Sequence, residues 1–493
     1  MNVHQRLKNS AHVNLNIPAK ASVFFTISNL ISKAAAFLLT PLFTRLFTPE
    51  EYGEYSLFGS YLGILIVIVS LELCGGVIMR AFQKNKELKN LTLLSAIILC
   101  LPLSFPAALA LFLLKNVLGE GLEFSYAYPL LAISLSSLTV INLYVSKCKF
   151  LYKWIPYLII GMMQSVAAPL LSIIFLRLTP TKSVDHVSLK IATVTLVLLS
   201  VASFLFAVTL KGALEEIRKN SMGKRQTAAY MREILKFMLK LSLPLLPYYF
   251  SVMFISQTDK IVISEVFGKR ILGGYSVAYS AGIALTAVTG GLMSSLSPWL
   301  MRRARSSDFD KIREILNTVT TITTIVIVIF LCVAPELFKF LAPEEYQFAL
   351  PITFISALMP IPLSLAQCAS GISIAKEKVF GVLISGIIPM AAVFSLNLAF
   401  SQMEKIHIPA VVTLFGYLSL MSLGIINTRL KTGEFIINVN KTLQKILFLM
   451  IFSAFLYSIR DMLVMRLLTA SSFALLLLYM LKSSLSLLKE PRE

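Results

Sequence analysis

The sequence predicts an all-α integral membrane protein of about 14 transmembrane helices, roughly 12 of them in two pseudo-symmetric six-helix lobes and the rest in a C-terminal pair. Three observations carry this. Hydrophobic residues make up 57% of the 493 positions and charged ones only 14%, with a mean hydropathy of +0.79, far above a soluble globular chain. Apolar stretches of about 20 residues, enough for a helix to cross the hydrocarbon, recur from Ala21 almost to the C-terminus. A short motif after the first stretch returns after the seventh.

The stretches are continuously apolar rather than alternating, which specifies helices and not barrel strands. The first half carries spans near residues 22–44, 56–79, 91–114, 126–146, 155–176 and 189–210. The second carries 241–264, 274–299, 316–341, 350–374, 379–400 and 409–427, and the last pair lies near 446–464 and 467–481. The expected organisation is a lobe over 1–215, a charged, helix-compatible linker over 216–240, a lobe over 241–440, and a terminal pair with a tail over 441–493. Met1 to Lys20 is polar and no small-residue cleavage pattern follows the first apolar stretch, so that helix is expected to be retained. Five cysteines at 74, 100, 148, 332 and 368 form no CxxC pair and suggest neither a disulfide framework nor a metal site.

The net charge of +20 could mark a nucleic-acid partner, but its distribution removes that reading. With the N-terminus inside, alternate loops hold about 32 of the 45 Lys and Arg and the opposite loops about 11, while acidic residues divide evenly. This bias predicts cytoplasmic N- and C-termini and contact of the basic face with anionic lipid head groups. Opposite loops are short, the longest running from Arg177 to Lys190, which leaves no room for a catalytic domain outside the bilayer.

The repeat pairs "TRLFTPEEYGEYSLFGS" with "TDKIVISEVFGKRILGGYSVAYS". Gly53, Tyr55, Ser56 and Ser60 fall on Gly273, Tyr275, Ser276 and Ser280 at a constant offset. Six spans separate the copies, so both have one orientation, and the implied axis lies along the membrane normal with a cleft between the lobes.

The charges singled out within spans are Lys33, Glu72, Asp259 and Lys260, each at a cost of about 3 kcal/mol at the bilayer centre, so each should face a protein cavity. Lys33, with Asn29 one turn away on the same face, could hold a phosphate or carboxylate in transit, or pair with Glu72. Glu72 could equally carry a proton. Asp259 and Lys260 point about 100° apart on a helix, so each needs another partner. Arg45 lies at the outer end of the first span, where it could snorkel or line the cleft mouth, and Arg80 reads as a positive-inside charge. Pro102 with Pro106, Pro156 with Pro169, Pro244 with Pro247, and Pro360 with Pro362 mark candidate bends. Tyr248 and Tyr249 read as packing residues. No catalytic constellation or P-loop is visible, so no cofactor is expected; a coupling ion, H+ or Na+, stays open.

The segment "AAAFLLTPLFTRLFTPEEYGEYSLFGSYLGIL" (34–65) resembles the polysaccharide transporter family, the lipid-linked oligosaccharide or O-antigen flippases. So does "SQTDKIVISEVFGKRILGGYSVAYSAGI", whose Asp259-Lys260 is similar to that family's Asp followed by a basic residue. The wider superfamily of multidrug and toxin extruders (MATE) and peptidoglycan-precursor flippases shares a two-lobe fold with a V-shaped cleft. The resemblance implies an undecaprenyl-pyrophosphate-linked oligosaccharide moved from the inner to the outer leaflet of a bacterial cytoplasmic (inner) membrane. A polysaccharide polymerase and a chain-length regulator are candidate partners. Lys33, Arg45 and Lys260 would form the cationic path, with Asn29, Glu72 and Asp259 beside it. An ion-coupled multidrug exporter and a membrane glycosyltransferase or ligase are the competing readings.

Overall fold

The computed structural model describes residues 16–487, apart from 115–120, 125, 180–184, 376–378, 401–402 and 404, and every regular element among them is helical. The first half contains α1 (Asn16–Leu46), α2 (Pro49–Val69), α3 (Ile78–Lys84), α4 (Lys89–Cys100), α5 (Ser104–Leu114), α6 (Ala127–Phe150), α7 (Trp154–Met162), α8 (Ala168–Leu178) and α9 (His186–Lys219). Next come α10 (Lys224–Ser242), α11 (Leu246–Ile283), α12 (Thr286–Arg305) and α13 (Phe309–Leu341). The chain finishes with α14 (Leu350–Ser356), α15 (Pro360–Ala375), α16 (Val379–Phe400), α17 (Ile408–Thr432), α18 (Val439–Ser458) and α19 (Leu463–Leu487). Among the described residues ten segments are long and apolar enough to cross a membrane, and an eleventh is a pair bent by 44° between Ser356 and Pro360. With α1, α19 and the reversal within α11, the count comes to about fourteen.

Several spans are broken, and the breaks have local causes. Pro102 sits in a 3-10 turn at Leu101–Leu103, a π-helical turn at Met163–Ala167 precedes Pro169, and irregular turns precede Leu246 and Pro360. Pro41, Pro335 and Pro389 lie inside unbroken helices, so proline alone does not dictate a break. The second span, expected over 56–79, stops at Val69. Leu71 and Glu72 adopt left-handed backbone (φ 49° and 47°), and Gly76 follows with φ 105°. The opened turn keeps its carbonyls satisfied: Ser242 donates its hydroxyl to Leu71 O, and the Cys100 thiol lies 3.6 Å from Ser70 O.

α11 reverses at Gly268, whose φ of 80° suits a residue without a Cβ. The reversal is needed to explain a contact: the Tyr275 hydroxyl reaches Asp259 Oδ2 at 2.5 Å across sixteen residues, which a straight helix would hold about 24 Å apart.

The linker region is two helices. α9 continues unbroken to Lys219, and α10 lays Ile234 and Met238 into the hydrophobic cluster of the first lobe built around Leu73, Phe82 and Ile97. Glu233 on its polar face pairs with Lys84 at 2.6 Å. At the other end of the chain, α19 docks on α13 through Arg466, whose guanidinium contacts both oxygens of Glu336 at 2.6 and 2.5 Å and Cys332 O at 2.7 Å.

The two copies of the repeat lie face to face. A Cβ on Gly53 would come within 1.9 Å of Lys269 O, and one on Gly273 within 1.8 Å of Pro49 O. The contact is reciprocal, and only glycine permits backbones to approach so closely.

Candidate functional site

The two lobes join in a seam at the end of the bundle that carries Arg45. Thr48 starts α2 with a capping box: its side chain accepts from Glu51 N, while Glu51 Oε2 accepts from Thr48 N at 2.8 Å. The sharp entry this gives brings α1 and α2 together against the second lobe. Thr44 donates to Leu341 O at 2.6 Å, and Arg45 donates to Phe340 O at 3.2 Å and to Pro41 O at 2.9 Å. Tyr346 donates to Phe47 O at 3.0 Å, and Ser56 donates to Ser276 Oγ at 2.6 Å. A buried Lys269 ammonium from the second lobe faces Glu54 at 3.6 Å and pairs with Glu123. Arg45 is therefore a strut between two helix C-termini, satisfying the Phe340 carbonyl in the last turn of α13 while bracing on Pro41 O of its own helix.

Next to the Ser56–Ser276 contact lies a cavity of about 300 Å³ between α2, α6 and α9 of the first lobe and α11 of the second. Its lining combines the Tyr52 and Tyr55 rings, the hydroxyls of Ser134, Thr195 and Ser280, the Gln257 amide and the Lys260 ammonium. Lys260 is held by Gln257 Oε1 at 3.1 Å and lies 5.1 Å from the centre of the Tyr279 ring. The cavity thus presents one cation, several neutral hydrogen-bonding groups and aromatic faces.

Asp259 points the other way. It is fully buried in the second lobe, accepting from Tyr275 and from the Lys260 backbone N–H at 2.8 Å. Its surroundings form a layer across three helices. Val393 of α16 and Ile255 of α11 both crowd the position a Cβ on Gly416 of α17 would take. α16 runs parallel to α11 and α17 antiparallel, so one turn further along come Asn397, Asp259 and Thr413. Asn397 is buried with no hydrogen-bond partner for its amide atoms among the described residues, while the buried Thr413 hydroxyl is directed at the Asp259 carboxylate. The layer thus gathers a carboxylate, a hydroxyl and an unpartnered amide inside the second lobe.

Of the residues singled out from sequence, the structure brings Lys260 to the cavity and Arg45 to the seam. Lys33 is exposed on α1, thirteen residues before Leu46 and so about 20 Å from the seam end. It makes no ion pair with Glu72 among the described residues. The Asn29 side chain lies outside the described set. Glu72 occupies the helix break, its carboxylate folded over Gly75. Tyr248 packs on Gly386.

Sequence reasoning missed Lys190, which it placed at the end of a loop. The structure places it in the first turns of α9, 2% exposed, with its ammonium 3.4 Å from the centre of the Tyr55 ring and 3.6 Å from that of Phe43. Phe47 and Tyr52 complete the cage at 4.8 and 5.6 Å. Apolar neighbours at i−3 (Val187) and i+4 (Val194) would have read as a span start, but no local signal announces a cage assembled from remote residues of α1, α2 and the turn between them.

The sequence pattern of the polysaccharide biosynthesis protein family matches residues 19–304, more than half of the chain. A protein of the Lsg locus of Haemophilus influenzae is 23% identical over 280 residues, 57% of this chain, and the chain spans 65% of that relative's length. An uncharacterized membrane protein of the same organism is 22% identical over 327 residues, 66% of this chain and 74% of its own. Among solved structures, the lipid II flippase MurJ in an inward closed conformation superposes with a TM-score of 0.64 at 16% identity, over 94% of this chain and 99% of that one. An inward-facing multidrug resistance MATE transporter of the MOP superfamily gives a TM-score of 0.58 at 14% identity, over 84% and 98%. The chain belongs to the polysaccharide biosynthesis protein family, and its fold is that of the MurJ and MATE structures.

Proposed function

We propose that the protein is a flippase that moves an undecaprenyl-pyrophosphate-linked oligosaccharide, such as an O-antigen repeat unit, from the inner to the outer leaflet of a bacterial cytoplasmic membrane. The observation that carries this reading is the cavity between the lobes: its single lining cation, Lys260, its hydroxyls and amide, and its tyrosine faces suit a sugar pyrophosphate. The polyprenyl tail can stay in lipid while the protein shields only the head group. The positive-inside bias supports cytoplasmic termini, which puts the Arg45 seam on the outer side. Parting of the seam would then release the head group outward, and Lys33, on the cytoplasmic side of it, would lie on the entry path.

The charge arrangement disfavours an exporter of cationic drugs, since Asp259 is turned away from the cavity and Lys260 would repel such a cargo. No reaction is assigned to the chain. Deleting the gene is expected to remove surface glycan and leave lipid-linked repeat units at the inner leaflet. Intact surface glycan in a strain with no second transporter of this class would defeat the reading.

If an ion drives the cycle, Asp259, Asn397 and Thr413 are the residues that would hold it. Asp259→Asn is expected to abolish the dependence of transport in proteoliposomes on a Na+ or proton gradient. A variant that responds to the gradient as the parent does would remove Asp259 from coupling.

A further inference from the structure

We infer that Lys190 is a second phosphate-contacting cation of the cavity, sheathed by aromatic rings while the lobes meet at the seam and uncovered as they part. The inference rests on the flippase reading and names a residue it does not yet contain.

The first observation is a charge without an anion. Among the described residues no carboxylate lies within 4.0 Å of the Lys190 ammonium. A lysine taken out of water for structural ends is normally paired, because burial penalises the bare ammonium heavily. Here four ring faces replace the counter-ion, which holds a cation in place without neutralising it.

The second observation is position. Ile191, Val194, Thr195 and Leu198 line the cavity, and Lys190 lies one turn above Val194 on the same stripe of α9. Two of the caging rings, Tyr52 and Tyr55, also line the cavity. Tyr55 thus touches both the Lys190 ammonium and the space where a head group would sit. Lys260 faces that space from the opposite lobe, so a pyrophosphate between them would meet one cation from each half.

The third observation ties the cage to the seam. Tyr55 is followed by Ser56, whose hydroxyl donates to Ser276 across the lobes. Separation of that contact frees the α2 turn that carries Tyr55 from its anchor on α11, whereas Lys190 is carried by α9, which makes no such contact through this residue. A cage built from α1, α2 and α9 therefore depends on the same backbone that closes the seam.

The test uses the purified full chain in phosphatidylcholine nanodiscs, titrated with undecaprenyl pyrophosphate and, in parallel, undecaprenol. The parent is expected to prefer the pyrophosphate. Lys190→Met should weaken pyrophosphate binding by about tenfold and leave undecaprenol binding unchanged, whereas Lys190→Arg should stay within about threefold of the parent. Should the Met variant fail to fold, Lys190→Gln carries the same comparison. Pyrophosphate affinity unchanged in the uncharged variants overturns the inference, as does equal loss of undecaprenol binding, which would make Lys190 a packing residue. Phosphatidylglycerol replacing the pyrophosphate lipid should give no Lys190-dependent signal; an equal signal would mark an annular lipid contact and also overturn it. A parent that does not distinguish pyrophosphate from undecaprenol sinks the flippase reading itself.

Discussion

A Ser56→Cys, Ser276→Cys double variant is expected to lose transport completely under oxidising conditions and to recover it when a thiol reductant is added. The two hydroxyl oxygens are 2.6 Å apart, so the Cβ atoms fall within the span a disulfide needs without backbone movement. The bond would join the lobes where their backbones already touch at Gly53 and Gly273, and no rocking motion could separate them there. Either single variant should transport normally in both conditions, which controls for the five native cysteines. Full transport with the cross-link formed, measured by surface glycan and by mobility on a non-reducing gel, would mean that the seam does not open during the cycle.

The second large effect concerns α19. Glu336→Ala is expected to destabilise the protein by about 3 kcal/mol or more, and Arg466→Met by clearly less. The asymmetry follows from exposure. The Arg466 side chain is 2% exposed and the Glu336 side chain 45%. Removing the carboxylate strands a buried guanidinium with only Cys332 O as a strong acceptor, whereas removing the guanidinium leaves a carboxylate that water or lipid head groups can reach. Thermal unfolding in detergent reads the difference. Equal losses in the two variants would show that the pair acts through its geometry alone and not through the buried charge.

The membrane class, the approximate span number and the two-lobe repeat were legible because they rest on long apolar windows and on an offset that a single chain displays. The Gly-x-Tyr-Ser repeat even identified residues that touch, since the copies flank the axis relating them. What stayed hidden depends on helices remote in sequence. Lys190 looked like a loop residue because its cage comes from Phe43, Phe47, Tyr52 and Tyr55. Arg466 sat between two expected spans because its partner Glu336 is 130 residues away. The break at Leu71–Glu72 carries a glycine pair at Gly75–Gly76 as its sequence signal, but an apolar window averages over it.

The reciprocal contact at the seam has a bearing on ancestry. Pro49 and Lys269 occupy equivalent places in the repeat, as do Gly53 and Gly273, and each glycine packs on the other copy's carbonyl. That is the arrangement of an isologous dimer interface, in which one patch meets itself across a two-fold axis. A gene duplication that fused two such subunits would leave this signature within one chain. Once fused, the two sides were free to diverge, and they have: Lys269 meets Glu54 on one side, while on the other its counterpart Pro49 meets the backbone around Gly273 and offers no charge. A homodimer must mutate both sides of its interface at once, whereas this chain could place an ionic latch on one side alone.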